Sequence, residues 1–174
     1  MTNIFRQSRG FTLAEMLISV GLVSMLLLVT IQTSLTVVSI HRSSRTYLDM
    51  NASAVNAFSR FSRDIRRAST VDAVQSTLGA SNGKLVLNLK QSDGSYTTQT
   101  FSLSGGVVQS FYNGVYNGDL SPTNMDISNL TFRRFLTGTT TAIRVEMTVS
   151  PDASSTIHAL NFYSTYVLRG SYSQ

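Results

Sequence analysis

The sequence predicts an α+β protein: one long N-terminal α-helix, membrane-spanning in its first half, whose second half packs on a mostly antiparallel β-sheet. Three observations predict it. Residues 11–31 form an apolar run carrying a single charge, Glu15, and no proline occurs before Pro122 to break a helix. Val55, Phe58, Phe61 and Ile65 then recur at spacings of three and four, one face of a helix. After Thr70 the period changes to two, as in Ile143, Val145, Met147 and Val149 alternating with Arg144, Glu146 and Thr148.

The helix justifies itself first. Twenty-one residues at 1.5 Å each span about 31 Å, close to the roughly 30 Å hydrocarbon core of a bilayer. The apolar character continues to Ile40, longer than the apolar core of a cleaved secretory signal. Arg6 and Arg9 before the run face Arg42 and Arg45 after it, so flanking charge leaves the orientation open. A carboxylate within a membrane helix costs about 2.5–3.5 kcal/mol on insertion scales, so Glu15 calls for a positive partner. Cleavage between Gly10 and Phe11 would create one, an α-amine a helical turn from Glu15, able to pair within the subunit or with an offset neighbour.

A helix over about 11–69 would be nearly 90 Å long, more than a compact domain of this size covers. Its first half therefore lies in lipid or against other copies, and an amphipathic switch near residue 50 marks where a C-terminal domain covers the rest. Arg60, Arg63 and Arg67 fall opposite the apolar face, with Arg60 placed i,i+4 to Asp64. The expected organisation is a leader over 1–10, a transmembrane or filament-core helix over 11–40, an amphipathic stem over 41–69 and a β-rich domain over 70–174.

In that domain Leu85, Leu87 and Leu89 alternate with Val86 and Asn88, and Asp93-Gly94 turns the chain into Tyr96–Leu103 as a hairpin. Gly105-Gly106 turns into Val107–Tyr112, and Gly114–Asn124, with Gly114, Gly118 and Pro122, reads as a loop. Ile127–Leu136, the Ile143–Val149 alternation and Thr156–Leu168 complete about six or seven strands, with Pro151-Asp152 as a turn. The helix face and the sheet each need a cover, so they should cover each other.

Composition narrows function. Of 174 residues 13% are charged, against about 25% in typical domains, and 46 are Ser or Thr. The absence of Cys excludes a disulfide framework, a thiolate metal site and a Cys nucleophile. The net charge of +5 is carried by the first 69 residues and the remainder is neutral, unlike a globular nucleic-acid-binding domain. Contact of Arg60, Arg63 and Arg67 with DNA phosphates is weighed against a solvated helix face, and the latter is favoured because no aromatics interleave. His41 and His158 lack a carboxylate or serine at motif spacing. Ser81-Asn82-Gly83-Lys84 matches S-x-x-K at a turn and without a following K-T-G. Asn117, Asp119, Asn124 and Asp126 gather oxygens that would suit Ca²⁺, although turn-forming use explains them equally. Asn129-Leu130-Thr131 fits a glycosylation sequon. No metal, cofactor or catalytic residue is expected, and the chain reads as a structural protein rather than an enzyme.

The stretch Arg9-Gly10-Phe11-Thr12-Leu13-Ala14-Glu15-Met16-Leu17-Ile18 closely resembles the processing site of type IV prepilins and type II secretion pseudopilins. The resemblance implies cleavage after Gly10 by a membrane prepilin peptidase that also N-methylates Phe11, and assembly through Glu15 with a neighbouring subunit's N-terminus. It implies other pilin or pseudopilin subunits as partners. It also implies a bacterial inner membrane anchor with the C-terminal domain outside the cytoplasm, then a surface or periplasmic filament. In outline, the order of elements looks like minor pilins of the PilW type and J-type minor pseudopilins, with a role in initiation or priming. Glu15 departs from the K-type pseudopilin, which lacks it, and the missing membrane-half proline favours a minor component. The alternatives are a DNA-uptake or adhesive pilin and a plain membrane-anchored exported β-domain.

Overall fold

The computed structural model describes residues 12–121, 125–138, 140–151 and 157–169. One helix, α1 (Leu13–Arg67), precedes eight strands: β1 (Thr70–Val71), β2 (Lys84–Lys90), β3 (Tyr96–Ser104), β4 (Val107–Tyr112), β5 (Val115–Asp119), β6 (Met125–Thr137), β7 (Thr140–Pro151) and β8 (Leu160–Val167). This is the expected α+β order of a long apolar helix followed by antiparallel strands. The chain divides into two compact units, residues 1–42 and 43–174. Among the described residues the first consists of Thr12 and the apolar part of α1.

The second unit holds two sheets where one was expected, a meander β1-β2-β3-β4-β5 and a meander β6-β7-β8, both antiparallel. They are stitched along β6. Gly83 N–H donates to Leu130 O at 2.7 Å, Leu130 N–H to Ser81 O at 2.8 Å and Gly79 N–H to Phe132 O at 2.8 Å. Both apolar faces converge on the same stripe of α1, and two sheets can each keep their twist while facing one helix. Phe61 makes the meeting point: its ring lies edge-on to Phe101 of β3 at 5.0 Å and to Phe132 of β6 at 5.8 Å.

The buried stripe of α1 is Met50, Ala54, Ala57, Phe61 and Ile65, at steps of four and three, with Ala68 continuing it just past the helix. Val55, expected on this face, is 62% exposed and Phe58 is only half-buried. The small Ala54 and Ala57 let the helix backbone approach the sheets, and Val55, one residue on, is turned about 100° away. Sequence periodicity weighted by hydrophobicity overlooks alanines in this role.

Leu85, Leu87 and Leu89 point into the core as expected, and β7 buries Ile143, Val145, Met147 and Val149. Val86 is buried as well, because the segment after β1 folds over it: Asp72 N–H donates to Val86 O at 3.0 Å and Val86 N–H to Ser76 Oγ at 2.9 Å. Asp93-Gly94 turns β2 into β3, and Gly105-Gly106 turns β3 into β4. The expected loop over Gly114–Asn124 is corrected in its first half, which forms β5. Asn113 (φ 53°) and Gly114 (φ 79°) both lie in the left-handed region, giving the two-residue turn whose twist matches a hairpin. Residues 122–124 and 152–156 of the expected turns lie outside the described residues.

Candidate assembly site

The site is built at the start of α1. Gly10 and Phe11 lie outside the described residues, so the description begins at Thr12. Thr12 precedes the helix, and its Oγ1 accepts the Glu15 N–H at 3.3 Å while its carbonyl accepts the Met16 N–H at 3.1 Å. Thr12-Leu13-Ala14-Glu15 is thus the S/T-x-x-E pattern of a capped helix start. Sequence reasoning passed over Thr12 as a cap, although the spacing carried that signal. Glu15, exposed in the first turn, complements the positive end of the helix.

The helix beyond offers no cover of its own. Met16, Leu17, Ile18, Leu22, Leu26 and Ile31 are each more than half exposed. This part of α1 is long and apolar enough to cross a membrane. Five of its hydroxyls are satisfied internally: Ser24, Thr30, Thr33, Ser34 and Thr36 each donate to the carbonyl four residues back, at 2.7–2.9 Å. Hydroxyls bonded in this way can lie in lipid or against other helices without a desolvation penalty of their own. Glu15 is the exception, the single charge among residues 12–41.

Residues 5–31 match the family model described as the prokaryotic N-terminal methylation motif. The match covers the N-terminal segment alone. The N-terminus is type IV pilin-like. The matched residues include Gly10, Phe11 and Glu15. The motif implies processing by a prepilin peptidase, assembly with other pilin subunits and association with a membrane. Motif and apolar helix together fit a single-pass inner-membrane anchor with the C-terminal domain outside. No curated protein and no solved structure matches the chain.

The other candidate residues scatter. Arg60 is only partly exposed: its Nε donates to Asp64 Oδ2 at 2.8 Å, as the i,i+4 spacing predicted, and Asp64 is buried. Arg63 and Arg67 are exposed. Asn117 and Asp119 lie on β5, where Tyr116 O–H donates to Asp119 Oδ1 at 2.7 Å and that bond raises the Tyr116 pKa. Asp126 is on β6 and Asn124 lies outside the described residues, so no oxygen cage is assembled among those described. Lys84 opens β2, paired with Thr77 in an isolated bridge, and Ser81 bonds the backbone of Leu130. His41 and His158 are exposed.

Proposed function

We propose that this chain is a structural minor subunit of a type IV pilus or type II secretion-like filament, of the PilW or J type, acting in initiation or priming rather than in catalysis. The precursor is held in the inner membrane, cut after Gly10 and methylated on Phe11. The new N-terminus supplies the cation that Glu15 lacks, and residues 11–40 then leave lipid for the filament core. The observation that carries this reading is the methylation motif seated on a capped helix whose exposed, mainly apolar surface carries a single charge, Glu15.

Two measurements test it. Mass spectrometry of the mature protein is expected to find methylated Phe11 as the first residue; an intact Met1 or a start elsewhere would overturn the processing. Glu15→Ala is expected to leave cleavage intact and to impair incorporation into the filament, whereas Gly10→Leu should leave an uncut precursor in the membrane. Filament levels unchanged in Glu15→Ala would remove the pairing argument. The arginine stripe supports no second reading of equal weight, since one of its three members is held by a buried carboxylate.

A further inference from the structure

The two sheets present four edge strands, and three of them are guarded. β1 is two residues long. β5 carries Gly118 and Asp119 and is offset by a bulge opposite Ser110/Phe111. β6 has a bulge between Ile127 and Asn129, two exposed arginines (Arg133, Arg134), and bonds from its edge to the segment before β2. Short length, charge, bulges and cover are the devices by which proteins keep sheet edges from pairing. Among the described residues β8 has none of them. Its eight residues, Leu160-Asn161-Phe162-Tyr163-Ser164-Thr165-Tyr166-Val167, contain no charge, no Gly and no Pro, and its pairing with β7 runs without a register shift.

The pairing pattern fixes which groups are open. Leu168 N–H donates to Thr141 O, extending the β7–β8 register by one hydrogen-bonded pair. Antiparallel pairs alternate between bonded and non-bonded, so Tyr166, Ser164 and Phe162 turn their N–H and C=O toward β7. Asn161, Tyr163, Thr165 and Val167 turn theirs outward, and among the described residues no backbone partner meets them. The next outward residue, Arg169, is engaged, its N–H donating to Arg66 O of α1 at 3.2 Å. Beside this open edge runs an apolar groove of about 190 Å³ lined by Ala54, Val55 and Phe58 of α1 and by Phe162, Tyr163 and Tyr166. Val55, the residue turned out of the core, forms its lip.

We infer that β8 accepts an extended, uncharged strand from a different subunit of the same filament, which continues the β6-β7-β8 sheet and seats an apolar side chain in the groove against Val55 and Phe58. Main-chain bonds give such an addition its affinity and the pocket gives it selectivity. The donor strand is uncharged because both the edge and the groove are. A second copy paired antiparallel through its own β8 does not fit. Its two-fold axis would be normal to the sheet and would run the two α1 stems (residues 43–67) antiparallel, whereas the head-to-tail contacts that build a helical filament keep every subunit in one orientation. The inference rests on the filament-subunit reading, and its test separates the two.

The chain has no cysteine, so Thr165→Cys in the full-length protein is a unique attachment point for a thiol-linked photo-crosslinker. In filament-producing cells the expected product joins this chain to another protein bearing an N-terminal methylation motif, identified by mass spectrometry. Asn117→Cys, on the guarded edge β5, should give no such product. Adding Thr165→Pro's effect at a neighbouring probe, Tyr163→Cys, tests the backbone: proline at 165 removes only an outward N–H and should abolish the product. Val55→Lys, which touches no strand bond, should abolish it too. A product only with a second copy, no product above the Asn117→Cys control, or a product that survives both variants would overturn the inference. The mature N-terminus read from the same sample reports separately on the filament-subunit reading.

Discussion

Phe61 contacts a ring from each sheet at close to 90° and has no exposed surface, so one side chain joins α1, β3 and β6. Phe61→Ala in residues 43–174 is expected to cost about 3–5 kcal/mol, read from urea unfolding, because neither sheet can collapse into the gap without moving the other. Gly83 is constrained by space rather than by conformation: a Cβ there would stand 2.6 Å from Leu130 O and 2.9 Å from the Phe132 ring. Gly83→Ala should therefore push apart the bonds that stitch the sheets and cost about 1–3 kcal/mol in the same measurement. At the β2–β3 turn, Ser95 donates to Asp93 Oδ1 through its hydroxyl at 2.6 Å and its N–H at 2.9 Å, which lowers the Asp93 pKa from 3.8. A depressed carboxylate stabilises the fold above its unfolded value and loses that contribution as pH falls through the lowered one. The Ser95 amide resonance is expected to shift with a midpoint below 3.8, and a midpoint at or above it would dissociate the turn from this bond. At this scale the sequence was partly legible. Glu15, Phe61 and the Arg60–Asp64 pair follow from spacing, while Ala54, Ala57 and Gly83 act through their smallness, which no hydrophobic pattern registers.

Elements follow from period and punctuation where both agree. The α1 and β7 patterns are long and regular, and the structure keeps them. β5 was hidden because Gly118 and Pro122 read as loop, yet Asn113-Gly114 between Phe111-Tyr112 and Val115-Tyr116 is a strong short-range hairpin signal. Gly114→Ala places a Cβ at φ 79° and is expected to cost about 1–2 kcal/mol and to loosen β5, seen as faster hydrogen exchange at Gly118 and Leu120 with β2 and β3 unaffected. The division into two sheets was not legible, because register across the β6 edge is set by tertiary packing on α1 and not by any local repeat. At the other end of the chain Thr12 caps α1 through a single hydroxyl. Thr12→Ala is expected to cost about 1 kcal/mol of helix stability, visible as fraying at Leu13–Glu15 in detergent-bound protein.

At the scale of the whole chain the two units obey different solvents. Among the described residues every core residue lies between Met50 and Leu168, so the hydrophobic core falls within residues 43–174. The apolar part of α1 encloses nothing and needs lipid or other helices to cover it. Stability should therefore reside in the second unit and insolubility in the first. The chain supplies its own reporter for this: it has no Trp, and all seven tyrosines lie at or beyond residue 47. The near-ultraviolet circular dichroism of tyrosine thus sees the second unit alone. Residues 43–174 in buffer and the full chain in detergent are expected to show the same cooperative loss of that signal, with midpoints within about 2–4 °C, the shift that 1 kcal/mol produces in a domain of this size. A markedly lower midpoint for residues 43–174 would mean that the apolar helix contributes to the fold it leaves, and that the membrane and filament functions of the chain are not separable from its core.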